Sequence, residues 1–308
     1  MIVLIDSGNT RLKVAVLRAG RAHAAVALDS ADPAALDRWL GKLPVPPQRA
    51  FGSNVAGAAR ATAIEAALRQ HGCVATWIQP RARAPGLTSR YTDPAQLGPD
   101  RWAAMLGVLA LSNANREAAP GLGAGGEPGM ASGSGANIDP CEKGSPPASE
   151  AAEPALEPPG TGFLLASFGT ATTLDCVSAK GVFEGGVILP GPAMMRAALA
   201  AGTAALPLAH GPAVPFPLDT QRAIATGVAA AQAGAVLRQW LVARQRFRAA
   251  PRLYVTGGGW PEVEAETRRL LSQAAANMDC PAPLPCRLDH PVLDGLARLA
   301  VQDLQGTH

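Results

Sequence analysis

The stretch MIVLIDSGNTRLKVAVL, Met1–Leu17, breaks a run of strand-forming residues with Asp-Ser-Gly-Asn-Thr and then resumes it. Ile2–Ile5 and Leu12–Leu17 are expected to pair as antiparallel strands across the Asp6–Thr10 turn. A hairpin needs turn residues, which Gly8 and Asn9 supply, but it does not need a carboxylate, two hydroxyls and a lysine as well. Gly8 lets a ligand approach the backbone closely. Ser7, Asn9 and Thr10 add side-chain donors beside several backbone N–H groups, a combination that cradles a polyphosphate. Asp6 is a candidate for holding Mg²⁺ through water, because that ion keeps much of its hydration shell and takes carboxylates together with phosphates. Lys13 is placed to neutralise phosphate charge. The competing reading is an ordinary Asn/Gly hairpin.

The pattern recurs in the second half. VLIDSGNTR and LLASFGTAT each put strand residues before a polar turn, with Gly8 and Gly169 at the same offset. Two related lobes meeting over one ligand would produce this; so would chance resemblance of two short hairpins. SFGTATT, Ser167–Thr173, offers a second glycine-hydroxyl turn suited to the β- and γ-phosphates of ATP. Neither turn is a P-loop, since GxxxxGK[ST] is absent, and neither is a dinucleotide fingerprint, since each leads into a strand rather than a helix. TGGG, Thr256–Gly259, is a candidate for the adenosine end, or simply a turn. Asp175, on the strand after the second turn, either faces the first turn and orients metal-bound water or the acceptor, or is a strand-edge carboxylate.

Between these turns lies YTDPAQLGPDRWAA, Tyr91–Ala104. Gly98 and Pro99 precede a helix start, where Asp100 can act as a cap. The chemical alternative makes Asp100 a base for a hydroxyl proton and Arg101 a grip for an anion. Further elements follow from periodicity: short strands at Arg49–Phe51 and within CVATWI, and helices over GAARATAIEAALRQHG and from Gly98 to about Leu111. In the second half, strands run to Ser167, to about Val177, over Val182–Leu189 and through RLYVT. Helices span PAMMRAALAAG, DTQRAIATGVAAAQAGAVLRQWLVARQR, the stretch from Trp260, and Val292–Leu304.

Composition excludes several classes. Hydrophobic residues make up 48% and charged ones 17%, and the net charge of +3 is too small and dispersed for nucleic acid. The five cysteines, Cys73, Cys141, Cys176, Cys280 and Cys286, lack metal-ligand spacing and read as free thiols. His23, His71, His210, His290 and His308 form no motif. No signal peptide or membrane-spanning run is visible, so a cytoplasmic location without membrane association is expected. From about Ser112 to Gly160 the chain is Gly-, Pro- and Ser-rich and is expected to be a disordered insertion. It divides an N-terminal lobe, 1–111, from a C-terminal lobe, 161–308.

Together these segments resemble the type III pantothenate kinases, some of which were first described as Bvg accessory factor homologues. The family's D-x-G-N-T-x-x-K stands here as DSGNTRLK, Asp6–Lys13; G-x-D-R as GPDR, Gly98–Arg101; the second turn as SFGTATT; and GG-x-hydrophobic-x-PG as GGVILPG, Gly185–Gly191. HPVLDGL, His290–Leu296, resembles the family's C-terminal end. The resemblance implies an α/β fold of duplicated ribonuclease-H-like domains, of the acetate and sugar kinase, Hsc70 and actin superfamily, around a nucleotide cleft. It implies phosphorylation of pantothenate by ATP, the first step toward coenzyme A, by a homodimer. By matched position, Asp6, Ser7, Gly8, Asn9, Thr10, Arg11, Leu12, Lys13 and Thr170 would bind ATP. Asp100 would be the base, and Tyr91, Gly98, Pro99, Asp100, Arg101 and Thr220 would contact pantothenate. The family's second turn usually begins with an aspartate that binds K⁺ or NH₄⁺; here that position is Ser167, which supplies no charge. Another small-molecule kinase of the superfamily, or a regulatory protein on the same scaffold, are the alternatives.

Overall fold

A computed structural model describes residues 1–32, 34–117 and 161–306 of the chain. The first sheet grows from the opening stretch. β1 (Ile2–Ser7) and β2 (Arg11–Arg18) are antiparallel partners, with Asp6 opposite Lys13. β3 (Arg21–Asp29) continues the meander. After the short helix α1 (Ala35–Leu40), β4 (Arg49–Asn54) returns parallel to β1; α2 (Ala58–Gln70) then leads to β5 (Val74–Trp77), parallel to β4. The sheet order is β3-β2-β1-β4-β5.

β6 (Arg83–Ala84) and β7 (Leu87–Ser89) precede the helix α3 (Pro99–Glu117). Beyond it come β8 (Phe163–Phe168), β9 (Ala171–Val177) and β10 (Val182–Pro190), again an antiparallel meander. The helices α4 (Pro192–Gly202) and α5 (Thr220–Phe247) lead to β11 (Arg252–Thr256), parallel to β8. The chain closes with α6 (Trp260–Asn277), β12 (Cys286–Arg287) and α7 (Pro291–Gly306). The second sheet is ordered β12-β11-β8-β9-β10-β7-β6. Its β10-β9-β8-β11-β12 portion repeats the first sheet strand for strand. This is a ribonuclease-H-like α/β lobe, present twice.

The alternation of side chains along each central strand decides what lies between the sheets. Val3 and Ile5 pack with Leu36, Ile64 and Leu68 on the outer face of the first sheet. Leu4, on the other face, packs with Ala103 of α3 and with Leu293 and Leu296 of α7. In β8, Leu164 and Ala166 face Trp240 and Trp260, whereas Phe163 and Leu165 pack against Trp102, Met105 and Leu106 of α3. Helix α3 therefore shares apolar contacts with both sheets.

α3 and α7 cross at unusually short range. A β-carbon on Gly295 would lie 1.8 Å from the Ala103 carbonyl oxygen, and one on Gly107 would lie 2.0 Å from that of Pro291. No side chain fits at either point, so the crossing is held by missing β-carbons.

Several expectations are refined. Asp6 and Ser7 belong to β1, which narrows the first turn to residues 8–10. The helix expected to end near Leu111 continues to Glu117, because no glycine or proline intervenes before Pro120. Apart from its residues 112–117, which are helical backbone, the expected insertion lies outside the described residues. β3, α1 and the β6–β7 hairpin carried too weak a pattern to be read; RAHAAVALD, for example, is alanine-rich and largely exposed. The sheets do not divide where the sequence suggested: β7 pairs with β10 in the second sheet, while α7 packs on the first.

Gly295→Ala is expected to destabilise the fold by about 1–3 kcal/mol through overpacking at the crossing. Urea unfolding measures this, and an unchanged midpoint at unchanged slope would refute the crossing as described.

Candidate active site

The two glycine turns meet. Gly8 N–H donates to the Arg11 carbonyl at 3.1 Å and Gly169 N–H to that of Ala171 at 3.1 Å, so a glycine N–H closes each turn, the second one residue tighter than the first. The hydroxyls of Thr10 and Thr170 lie 2.5 Å apart, joining one turn to the other across the cleft. Gly191, which ends the GGVILPG segment, donates its N–H to the Thr170 carbonyl at 3.0 Å and so braces the second turn. Gly259 N–H does the same for Phe168 at 3.0 Å, bringing TGGG against that turn. Asn9, Thr10 and Arg11 are exposed around the opening.

Three members of the expected set play different parts. The Ser7 side chain is turned inward, and its hydroxyl is buried without a partner, as is that of Thr172 beside the second turn. Leu12 packs in the first core with Val3 and Val14, which leaves its backbone for the turn. Ser167 stands opposite Thr173 on β9 and Thr256 on β11, so a row of hydroxyl-bearing residues occupies the second turn's strand ends, with Ser167 at the position noted above as lacking the usual aspartate.

Asp6 sits in the wall of the cleft. Its Oδ1 accepts a hydrogen bond from the Ser53 hydroxyl at 3.1 Å, and Lys13 Nζ lies 3.9 Å from Oδ2. Burial pushes the carboxyl up to about 6; Lys13 pulls it down, the negative charge of Asp100 pushes it up further, and the Ser53 bond opposes. Ser53, on the neighbouring parallel strand, had no signal in the sequence beyond its place in RAFGSNV.

Asp100 lies in the first turn of α3, where the helix N-terminus favours a negative charge. Gly98 is its necessary neighbour, since a β-carbon there would come within 2.6 Å of Asp100 Oδ1. That oxygen accepts the Arg101 N–H at 2.8 Å. The cap position itself is Gly98, whose carbonyl takes the first helical bond from Trp102, so Asp100 satisfies a first-turn donor from inside the helix. The other carboxylate oxygen, Oδ2, takes no side-chain hydrogen bond among the described residues. Burial raises the pKa of Asp100, with Arg101 opposing.

Arg101 turns the other way. Its Nε donates to Asp175 Oδ1 at 3.1 Å and its Nη2 to the same oxygen, while Nη1 donates to the Tyr91 hydroxyl at 3.3 Å. The Tyr91 and Phe183 rings pack 5.3 Å apart, and the guanidinium lies over Phe183 at 5.8 Å. Burial works against the guanidinium charge, but its hydrogen bonds and pairing with Asp175 prevail and raise its pKa. Asp175 is thus neither turned toward the first turn nor a strand-edge group: it is buried and committed to Arg101.

Thr220 is not brought to this cluster. It begins α5 and lines a separate cavity of about 480 Å³ with His210, Asp219 and Arg222. A smaller cavity of about 180 Å³ adjoins it through the shared His210 and Gly211 and lies between α4, α5 and α6, with Arg196 ion-paired to Glu262 in its wall.

Among the described residues no cluster of three or more His, Cys, Asp or Glu side chains could hold a metal by itself, and no helix is long and apolar enough to cross a membrane. The site still suits Mg²⁺ bound jointly with phosphate. Asp6 and Asp100 repel one another in a buried wall, and a cation shared with phosphate oxygens relieves that repulsion.

Comparison with known proteins accords with this geometry. The family model for type III pantothenate kinase matches residues 2–118 and 150–241. The chain is 52% identical over 303 residues to a type III pantothenate kinase of Bordetella petrii, covering 98% of each chain. It is 49% identical over 307 residues to that of Bordetella pertussis, again with 98% of each covered, and 36% identical over 304 residues to that of Aromatoleum aromaticum, with 98% of this chain and 99% of the relative covered. Among solved structures, a Campylobacter jejuni protein described as a Baf family transcriptional activator aligns over 98% of this chain and 99% of its own, with TM-score 0.50 and 16% identity, a likeness that speaks for the fold alone. On the strength of the family match and these relatives, the chain belongs to the type III pantothenate kinase family.

Proposed function

We propose that this protein transfers the γ-phosphoryl group of ATP to the primary hydroxyl of pantothenate, giving 4'-phosphopantothenate and ADP, the first step of coenzyme A biosynthesis. The observation that carries this reading is the Asp100–Arg101 dipeptide: a carboxylate near enough to Asp6 to repel it, beside a guanidinium fixed by Asp175 and Tyr91, in a fold whose two glycine turns are joined through Thr10 and Thr170. Backbone N–H groups of Asn9 and Thr10, the hydroxyls of Thr10 and Thr170, and Lys13 would hold the polyphosphate. The TGGG turn and the smaller cavity beside it would receive the nucleoside.

Arg101 and Tyr91, with Gly98 and Pro99 shaping the approach, would hold the pantothenate carboxylate. The hydroxyl oxygen then attacks the γ-phosphorus, the bond from that phosphorus to the ADP oxygen breaks, and the hydroxyl proton passes to Asp100 Oδ2. Burial brings this carboxyl closer to neutrality and makes it a better base than a free aspartate. Because phosphoryl transfer passes through a loose transition state, positioning and charge neutralisation supply most of the acceleration. Asp6 would hold Mg²⁺ through water, and the ion would neutralise charge on the transferring group.

Ser167 is assigned to the monovalent-cation position, with Thr173 and Thr256 as hydroxyl neighbours and no carboxylate. Loss of that charge weakens binding of K⁺ or NH₄⁺. We assign the homodimer contact to the surface around Thr220, where Phe216 and Leu218 are 87% and 94% exposed. Dimerisation there would bring Thr220 to the acceptor site of the partner subunit. A cytoplasmic location goes with the reaction.

Asp100→Asn keeps an acceptor for the Arg101 N–H and removes the base. It is expected to lower kcat by up to about 10²–10⁴-fold while ATP binding, followed by calorimetry, persists; full turnover in this variant would leave Asp100 a first-turn acceptor only. The kcat/KM profile is expected to fall as pH drops through about 6, where Asp6 takes up its proton, rather than near the ordinary carboxylate range. A limb at ordinary carboxylate pH would remove Asp6 from the binding machinery. At fixed ionic strength, K⁺ should activate the wild type weakly and Ser167→Asp severalfold more; strong and equal activation of both would count against the hydroxyl site.

A further inference from the structure

The Asp175 carboxylate accepts a hydrogen bond from Thr173 at the foot of the second turn and, on the reading above, touches neither substrate, yet it is 1% exposed and bound to a guanidinium that is 6% exposed. A buried ion pair is a weak source of net stability, because desolvation cancels much of the attraction. Its retention here calls for another account, and the geometry of Arg101 supplies one.

A guanidinium has five N–H donors in a rigid fork. Asp175 takes the edge formed by Nε and Nη2, at 3.1 Å for Nε, and Tyr91 takes one donor of Nη1 at 3.3 Å. The ring of Phe183 covers one face. One donor on each Nη is left for a further acceptor, and a carboxylate is the acceptor a guanidinium grips best. The pocket that holds Asp175 is cut to this arrangement. A β-carbon on Gly186 would lie 2.4 Å from Asp175 Oδ1 and 2.7 Å from Arg101 Nη2, so any other residue at 186 would push the pair apart. Gly186 lies opposite Asp175 in the β9–β10 pairing, which fixes the match.

We propose that Asp175 is a positioning residue for the acceptor: by occupying one edge of Arg101 it orients the remaining two donors toward the pantothenate carboxylate. This rests on the function proposed above and extends it to a residue and a chemical selectivity. The site would select acceptors with an anionic carboxylate at the end remote from the reacting hydroxyl, and Asp175 would act only through Arg101.

The test compares wild type, Asp175→Asn, Arg101→Gln and the double variant with two acceptors: pantothenate, and its alcohol analogue in which a hydroxymethyl replaces the carboxylate. Asp175→Asn is expected to raise KM for pantothenate by about tenfold or more, the scale of a charge-assisted hydrogen bond. Its kcat, its KM for ATP and its Mg²⁺ requirement should stay near wild type, as should kcat/KM for the alcohol. Arg101→Gln and the double variant should share one raised KM, because Asp175 has nothing left to orient. Should Asp175→Asn alone fail to fold, the double variant carries no buried unpaired charge, and its comparison with Arg101→Gln decides: equal KM values support the proposal, and a further rise overturns it. Equal losses on both acceptors, or a raised Mg²⁺ requirement, also overturn it. If Arg101→Gln raises KM but Asp175→Asn does not, only the role of Asp175 falls. If Arg101→Gln leaves pantothenate KM unchanged, or wild type does not phosphorylate pantothenate, the functional reading itself fails and takes this one with it.

Discussion

One peptide bond separates a carboxylate that senses the first sheet from a guanidinium pinned to the second. Asp100 and Asp6 repel through the cleft wall, while Arg101 is paired with Asp175 on β9. The two residues are adjacent in sequence at the start of α3, so neither can move far without the other. Their placement depends on α3 packing against both sheets, through Ala103 on one side and Trp102, Met105 and Leu106 on the other. It depends equally on the crossing with α7, where two glycines let backbones approach to a distance no side chain permits. Apolar packing over many residues is therefore what sets the geometry of a few charged ones.

The electrostatics follow from that burial. A carboxylate in water would titrate far below neutrality; Asp6, set in a wall beside a second acid and only loosely approached by Lys13, is shifted to about 6. The same wall that makes a lone negative charge costly makes it responsive to cations and to proton transfer. Arg101 is the counterexample. It is comparably buried, yet Asp175 and Tyr91 keep it charged and hold its guanidinium in place. At the second turn the opposite economy holds. Ser167, Thr173 and Thr256 line up across three strands as hydroxyls without a formal charge.

Much of this was legible residue by residue. DSGNTRLK announced a strand, a glycine turn and a strand, and the structure has them, with Asp6 opposite Lys13. GPDR announced a helix start, and Gly98 proves to be the residue that leaves room for the Asp100 carboxylate. These are local features, set by turn chemistry and by the alternation of side chains within a few residues. The weakly patterned elements escaped. β3 and α1 are short or alanine-rich, and β6–β7 forms only because β10 offers an edge to which β7 can pair. Ser53 was invisible for a similar reason: its role exists only once β4 lies beside β1.

By itself the sequence determined the two glycine hairpins, the helix that starts at the acid–arginine pair, the family to which the chain belongs and the loss of charge at Ser167. Those properties are written in residue type and spacing over short distances, where backbone sterics and hydrogen bonding act locally. Only the tertiary structure decided that Asp175 serves Arg101, that the two turns touch through Thr10 and Thr170, that β6 and β7 join the far sheet, and that Thr220 stands apart in its own cavity. Each of these joins residues distant in the chain, and which of many possible partners meet is settled by how the buried faces of two sheets and two helices fit together.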